Sequence, residues 1–296
     1  MTNSYHTPVL LYESLELLNI KPDGFYLDAT LGEAGHSRAI LERLSSGGKL
    51  LSIDQDEEAI RYVRHNYQEQ LLGGNWEIVQ SNFAKVHEVL MNYNRKLDGV
   101  LMDLGISSRQ IEIEGKGISY HNQSDPLDMR MDDQLQVTAA DLLNALTEQE
   151  LEKLFRVYGE ERYAKRIARI IKESPTPVQS VGELNTIISR AVPATKNSSK
   201  HPSRRVFQAL RIAVNDELNS LKAGLEGSFT NLNSNGRLVV ISFHSLEDRI
   251  VKEYFNQLAR EGKGTLITKK PIVPTDTEVT QNPRSHSAKV RAIEKL

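Results

Sequence analysis

No cysteine occurs in these 296 residues, which removes disulfides, thiolate catalysis and cysteine-ligated zinc or iron–sulfur centres from consideration. Long apolar runs are missing as well: none approaches the ~18 residues needed to cross a bilayer. The opening MTNSYHTPVL lacks a basic segment followed by an apolar stretch, so no secretory signal is read and a cytoplasmic protein is expected. Neither charge dominates. With 37 Lys+Arg against 39 Asp+Glu, the net charge of −2 argues against indiscriminate nucleic-acid binding and leaves local patches open. Internal repeats and low-complexity tracts are absent. So is any G-x-G-x-x-G.

What is present first is alternation. FYLD reads as a buried strand that runs into a glycine-containing turn, LDATLGEAGHS over 27–37, and then a helix over 37–44. KLLSID (49–54) follows as a second strand, and 59–72 as a second helix closed by Gly73 and Gly74. Strands are expected again at 76–79 and 99–104. Successive strand–helix–strand units predict a parallel sheet with helices on both faces and ligands at the carboxyl ends of the strands.

A fifth strand, RLVVISF, does not appear until 237–243, more chain than one crossover helix needs. An inserted, mainly helical substrate-recognition domain is therefore expected over 110–203, between core segments 1–109 and 204–296. Thr147 with Glu150 and Ser180 with Glu183 read as capping boxes inside it. The span 203–225 reads as one long amphipathic helix with Val206, Leu210, Val214, Leu218, Leu221 and Leu225 on a single stripe. A helix over 246–258 and two strands, 264–272 and 288–294, close the chain. A final strand pair with no helix between its members is how class I methyltransferases end, whereas dinucleotide-binding domains continue parallel.

The turn at Gly32 and Gly35 lacks the further glycine that a pyrophosphate needs, which disfavours a dinucleotide. S-adenosylmethionine carries no phosphate and tolerates looser patterns. Asp54 at the end of the second strand is placed to accept both ribose hydroxyls. It reads equally as a solvated strand-end residue. Phe83 is a candidate for stacking on adenine or for the core. Asp103 ends an otherwise apolar strand, where a carboxylate is costly unless solvated or partnered. His244 ends the fifth strand, either as a proton acceptor or as a structural histidine. Lys196, Lys200, Arg204 and Arg205 sit in a stretch without acids and read as phosphate contacts. The basic face at Arg162, Lys165, Arg166, Arg169 and Lys172 reads as a solvated helix surface, with Glu161 four residues before Lys165.

Taken in order, HTPVLLYES, LDATLGEAGHS, DGVLMDLGISSRQIE, DPLDMRMD, YGEERYAKRIARII, HPSRRVFQALRIAVNDEL, GRLVVISFHSLEDRIVK and NPRSHSAKVRAIEK resemble the bacterial RsmH (MraW) family of 16S rRNA cytosine N4-methyltransferases. PLDMRMD and SFHSLEDR are far more specific than a generic cofactor loop. The resemblance implies a class I, Rossmann-like α/β core with a seven-stranded sheet ending in an antiparallel hairpin, and S-adenosylmethionine as methyl donor. It implies a cytosine in the decoding region of 16S rRNA, within the small ribosomal subunit, as target. It implies no metal, and a homodimer is left open. By position, the cofactor contacts would be Ala34, Gly35, His36, Asp54, Phe83, Asp103 and Gln110. Family members often have Gly-Gly before the turn histidine. Alanine at position 34 is expected to be tolerated only away from positive φ. His286 stands where the family's tail is usually basic. The Asp/Asn/Ser-Pro-Pro-aromatic motif of many amino-group methyltransferases is replaced by Asp103-Leu104-Gly105-Ile106, so no motif supplies the proton acceptor. Asp103 or a nearby backbone carbonyl is expected to polarise the amine, with His244 assisting deprotonation; Asp103 and His244 are the candidate catalytic residues. A DNA or small-molecule methyltransferase, and a non-catalytic RNA-binding assembly factor, are the rival readings.

Overall fold

A computed structural model describes residues 8–106, 115–193 and 201–296. The chain divides into two compact units, one formed by Met1–Gly105 with Leu218–Leu296 and the other by Ile106–Glu217. The insertion expected at 110–203 falls inside the second unit.

The first unit is built on β1 (Phe25–Asp28), β2 (Lys49–Asp54), β3 (Trp76–Gln80), β4 (Leu97–Asp103), β5 (Leu232–Ser242), β6 (Gly264–Leu266) and β7 (Lys289–Lys295). They form one seven-stranded sheet in the order β3-β2-β1-β4-β5-β7-β6. The first five strands run parallel, and β7 lies antiparallel between β5 and β6. This is the Rossmann-like α/β arrangement of class I methyltransferases, with its closing hairpin. Every residue of β1 is buried, as both faces of a central parallel strand should be. One face packs on Leu221, Leu225 and Phe255, the other on Leu15, Leu18 and Ile40.

Some elements depart from the sequence pattern. The helix expected over 59–72 is two, Glu57–Asn66 and Gln68–Leu72, parted at Tyr67, whose φ of −125° is not helical. The strand expected over 264–272 pairs only through Leu266, and Ile272 returns as an isolated bridge to Val290. The expected absence of a helix between the last two strands is a correction: helix Asp276–Gln281, capped by the Thr275 side chain, and the 3₁₀ turn Pro283–Ser287 lie between β6 and β7.

Among the described residues the second unit holds helices Ala139–Ala145, Glu148–Gly159, Ala164–Lys172, Val181–Ala191 and Arg204–Val214 around Leu143, Phe155, Ile167, Leu184 and Leu210. Both anticipated capping boxes form, and Thr138 with Asp141 makes a third. The single helix expected over 203–225 is a correction: it is Arg204–Val214 followed by Glu217–Thr230. The break has a physical cause. Asp216 takes a left-handed φ of 47°, and the Asn215 side chain leaves the helical pattern to bind backbone. Its Nδ2 donates to the carbonyls of Met129 and Arg211 at 2.8 and 2.9 Å, and its Oδ1 accepts the Met131 N–H at 2.8 Å. Val206, Leu210 and Val214 enter the core of the helical unit, whereas Leu221 and Leu225 enter that of the sheet.

The same contacts account for DPLDMRMD. Met129 is fully buried at φ 62°, a strained conformation for a side chain of this size. The loop around it is tied down by Arg130, which grips Asp128 with two hydrogen bonds of 2.7 and 2.8 Å and donates to the Leu135 carbonyl. That bidentate pairing holds the Asp128 carboxyl below its ordinary range.

Candidate active site

Three carboxylates end three neighbouring strands: Asp28 on β1, Asp54 on β2 and Asp103 on β4. Parallel strands in register bring these carboxyl ends together, which is why the turn after β1 lies among them. Asp28 has no exposed surface. Its Oδ2 accepts the Ser37 hydroxyl at 2.6 Å, Ser37 Oγ lies 2.8 Å from Ser52 Oγ, and the Trp76 indole donates to Ser52 at 2.9 Å. Only the indole must donate, so the chain runs from Trp76 through both serines to the carboxylate. Even so, burial pushes the Asp28 carboxyl up to about 7, with the nearby Asp54 charge adding to the rise.

Asp54 clamps the turn. Its Oδ2 accepts the Gly32 amide at 2.8 Å and its Oδ1 the Asp56 amide at 2.9 Å. Burial raises it to about 6 against the lowering effect of those amides. Gly32 has φ 49° and open space where a Cβ would stand. A Cβ on Gly35 would fall 2.3 Å from Pro8 Cγ, so only glycine allows that approach. Ala34 sits at φ 66° and is fully buried, contrary to the expectation that alanine there avoids positive φ. Its methyl fills core volume beside Leu31 and Ile40 and offsets part of the backbone strain.

Asp103 is the least satisfied of the three. Its backbone N–H donates to Thr30 Oγ1 at 2.7 Å, and its Oδ2 lies 3.5 Å from His36 Nδ1. Its Oδ1 is buried with no hydrogen-bond partner among the described residues. Burial, then the charges of Asp28 and Glu247, hold its carboxyl well above the ordinary range. His36 is 5% exposed, and its Nε2 lies 3.1 Å from the Val9 carbonyl, which can only accept. In the neutral ring the Nδ1 lone pair therefore faces Asp103.

The other expected residues divide. Phe83, half-buried, opens a short 3₁₀ turn after β3, and Gly224 leaves its ring room, since a Cβ there would lie 2.8 Å from Phe83 Cδ2. Arg204 and Arg205 begin a helix of the second unit. Gln110, Lys196 and Lys200 lie outside the described residues. His244 is the N-cap of helix Ser245–Arg260: its Nδ1 accepts the Glu247 amide at 3.4 Å. The Glu247 carboxylate accepts the amides of Phe243 and His244 in return, so HSLE is a capping box with histidine in the serine position. With Nδ1 accepting, the imidazole proton sits on Nε2, 3.1 Å from Glu247 Oε1 but poorly aligned for a hydrogen bond. Asp248 of the same motif pairs with Lys289 and Arg291 of β7 at 3.1 and 2.6 Å.

Sequence reasoning passed over Asp28 and its hydroxyl chain. The signal was the one that marked Asp103, an acid at the end of an apolar strand.

A parallel sheet closed by an antiparallel hairpin, with acids grouped at the ends of β1, β2 and β4, defines a class I S-adenosylmethionine-dependent methyltransferase. The chain belongs to the MraW methylase family, whose model matches residues 3–296. It is 48% identical to the ribosomal RNA small subunit methyltransferase H of Caldicellulosiruptor saccharolyticus, across 98% of this chain and 99% of that one. The Fusobacterium nucleatum protein of the same name is 42% identical, across 99% and 98%. Among solved structures, an rRNA methylase from Streptococcus thermophilus aligns over 99% of both chains at 12% identity, with a TM-score of 0.47. The residues present fit the cofactor. A buried carboxylate oxygen without a partner, among further acids, suits a ligand that brings positive charge.

Proposed function

We propose that this chain methylates the exocyclic N4 amine of a cytosine in 16S rRNA of the small ribosomal subunit, in the cytoplasm. Family membership over nearly the whole chain supports the reaction class, and the relatives' shared name supports the RNA. The observation that carries the chemistry is the unpartnered Oδ1 of Asp103 at the mouth of β4.

When bound, S-adenosylmethionine supplies a methyl group on a positively charged sulfur. The residues assigned to hold it are Ala34, Gly35 and His36 in the turn, Asp54 for the ribose, Phe83 beside the adenine, and Asp103 with Gln110 toward the methionine end. The cytosine amine is a weak nucleophile because its lone pair is delocalised into the ring. Asp103 Oδ1 accepts a hydrogen bond from that amine and favours the pyramidal, more nucleophilic form. The bound cofactor would supply the methyl group to that nitrogen, and its positive charge would favour an ionised Asp103 that could take the amine proton. His36 Nδ1, 3.5 Å from Oδ2, can accept a hydrogen bond from that carboxyl once it carries the proton. Alignment of the reacting atoms lowers the entropic part of the barrier. The target base must leave its stack, at a cost of a few kcal/mol. Lys196, Lys200, Arg204 and Arg205 take RNA phosphates, and lower affinity with a shallower salt slope on their removal would bear this out.

Labelled methyl transfer to small subunits from a strain lacking the enzyme tests the function. Label confined to cytosine N4 of 16S rRNA is expected. Label on free nucleosides or DNA instead, or none at all, would overturn it.

A further inference from the structure

In the helical unit, a group of rings lies at the surface. Tyr120 and His201 are stacked, with centroids 4.6 Å apart and planes 13° from parallel. His121 flanks them, 4.4 Å from Tyr120 and 6.2 Å from His201. Phe207 meets Tyr120 edge-on at 5.9 Å and anchors it to the core. Both histidines are exposed, and among the described residues Tyr120 is the ring stacked on a face of His201.

The group is held from beneath by buried polar residues. Asn185 donates to the Tyr120 carbonyl at 2.9 Å and accepts the Ser203 hydroxyl, and these two residues are 8% and 0% exposed. The Ser203 amide in turn donates to His201 Nδ1 at 3.3 Å. Here the Asn185 side chain holds the Tyr120 backbone, and the Ser203 backbone amide fixes the His201 ring. The helix that follows opens with Arg204 and Arg205, and among the described residues neither guanidinium makes a hydrogen bond or ion pair.

We infer that Tyr120 and His201 form a stacking platform for one unpaired RNA base, with Arg204 and Arg205 taking the adjoining phosphates; this rests on the rRNA reading above. The His201 ring serves through its π-face rather than through charge. Partial burial and the neighbouring His121 both hold it below the ordinary histidine range, so it is neutral at slightly alkaline pH. Base–ring stacking tolerates any base and responds little to salt, whereas phosphate contacts respond strongly.

The test uses the full chain at pH 8 and a short single-stranded RNA carrying 2-aminopurine, whose fluorescence is quenched on stacking. Wild type should bind and quench. His201→Ala should bind roughly 5- to 150-fold more weakly, lose the quenching and keep the salt slope. His201→Phe should restore both affinity and quenching. Arg205→Ala should keep the quenching and reduce the salt slope by about 0.7. Quenching that persists in His201→Ala, or a reduced salt slope there with no rescue by phenylalanine, would overturn the platform while leaving RNA binding intact. Absence of RNA binding by wild type would instead overturn the underlying rRNA reading, and the platform with it.

Discussion

Asp28 shows what burial does to a single side chain in this molecule. It accepts a hydroxyl and an amide, yet its carboxyl is raised to about 7 from an ordinary 3.8. A carboxyl raised in the folded state leaves stability whole below about pH 4 and erodes it as pH climbs toward 7. Asp28→Asn should therefore flatten the decline in Tm between pH 4.5 and 7.5, which thermal melts of the cofactor-free protein would show; a decline of unchanged steepness would count against the assignment. Asp103 and His244 should separate by behaviour. Asp103→Asn is expected to lower cofactor affinity by calorimetry and turnover by about 10²-fold or more. His244→Ala removes a helix cap worth about 1 kcal/mol, so its denaturant midpoint should fall while turnover stays within a few-fold. A collapse of turnover at full stability would return His244 to the chemistry. At this scale the sequence exposed Asp54 and Asp103 because acids interrupt apolar strands. It concealed the capping position of His244, because a cap is defined by the chain that follows it. It also concealed Ala34, whose φ no composition reveals.

Helices with explicit start signals were legible as elements. Thr147-x-x-Glu150 and Ser180-x-x-Glu183 read directly, since both halves of a capping box are written in the chain. The continuous stripe over 203–225 misled because periodicity describes which face is apolar and is silent on which core that face enters. Asn215 marks the change. Its three hydrogen bonds, each worth about 1 kcal/mol net, predict that Asn215→Ala destabilises the chain by roughly 2–3 kcal/mol in denaturant titration. A loss below about 0.5 kcal/mol would show that the break is set by Asp216 alone. PLDMRMD and SFHSLEDR, the most distinctive strings in the chain, turn out to be a braced loop and a capped helix. Backbone constraints account for Met129 and Arg130 in the first and for His244 and Glu247 in the second.

At the level of the molecule, two sets of carboxyls pull stability in opposite directions. Burial works against ionisation of Asp248, but Arg291 and Lys289 bring its carboxyl below the ordinary range, so its contribution is present at neutral pH and lost as pH falls below about 4. Asp28 and Asp54 work the other way, losing stability as pH rises through their ordinary range toward about 7 and about 6. The cofactor-free protein should be most stable near pH 5, and S-adenosylmethionine should move that maximum upward by favouring the ionised acids. Melts across pH with and without the cofactor would show the shift; coincident maxima would argue that the acids do not face it. The parallel strands were legible from their spacing, whereas the helix between β6 and β7 was not, because Asp276–Gln281 is short, polar and exposed. The extent of the helical unit, Ile106–Glu217, was not, because its borders fall inside loops and helices rather than at a change of composition.

The place of β7 between β5 and β6 also sets an order of events during synthesis. Helices of the Ile106–Glu217 unit close mostly over short stretches of chain, so they can form while translation is still under way. β5 has no such freedom. Until Lys289–Lys295 leaves the ribosome, one side of β5 keeps its row of amides and carbonyls unpaired, open to any passing strand. Nascent chains halted before residue 289 should aggregate through that edge, while those carrying β7 should not. The interval between translating β5 and translating β7 is thus the period in which that edge stands open.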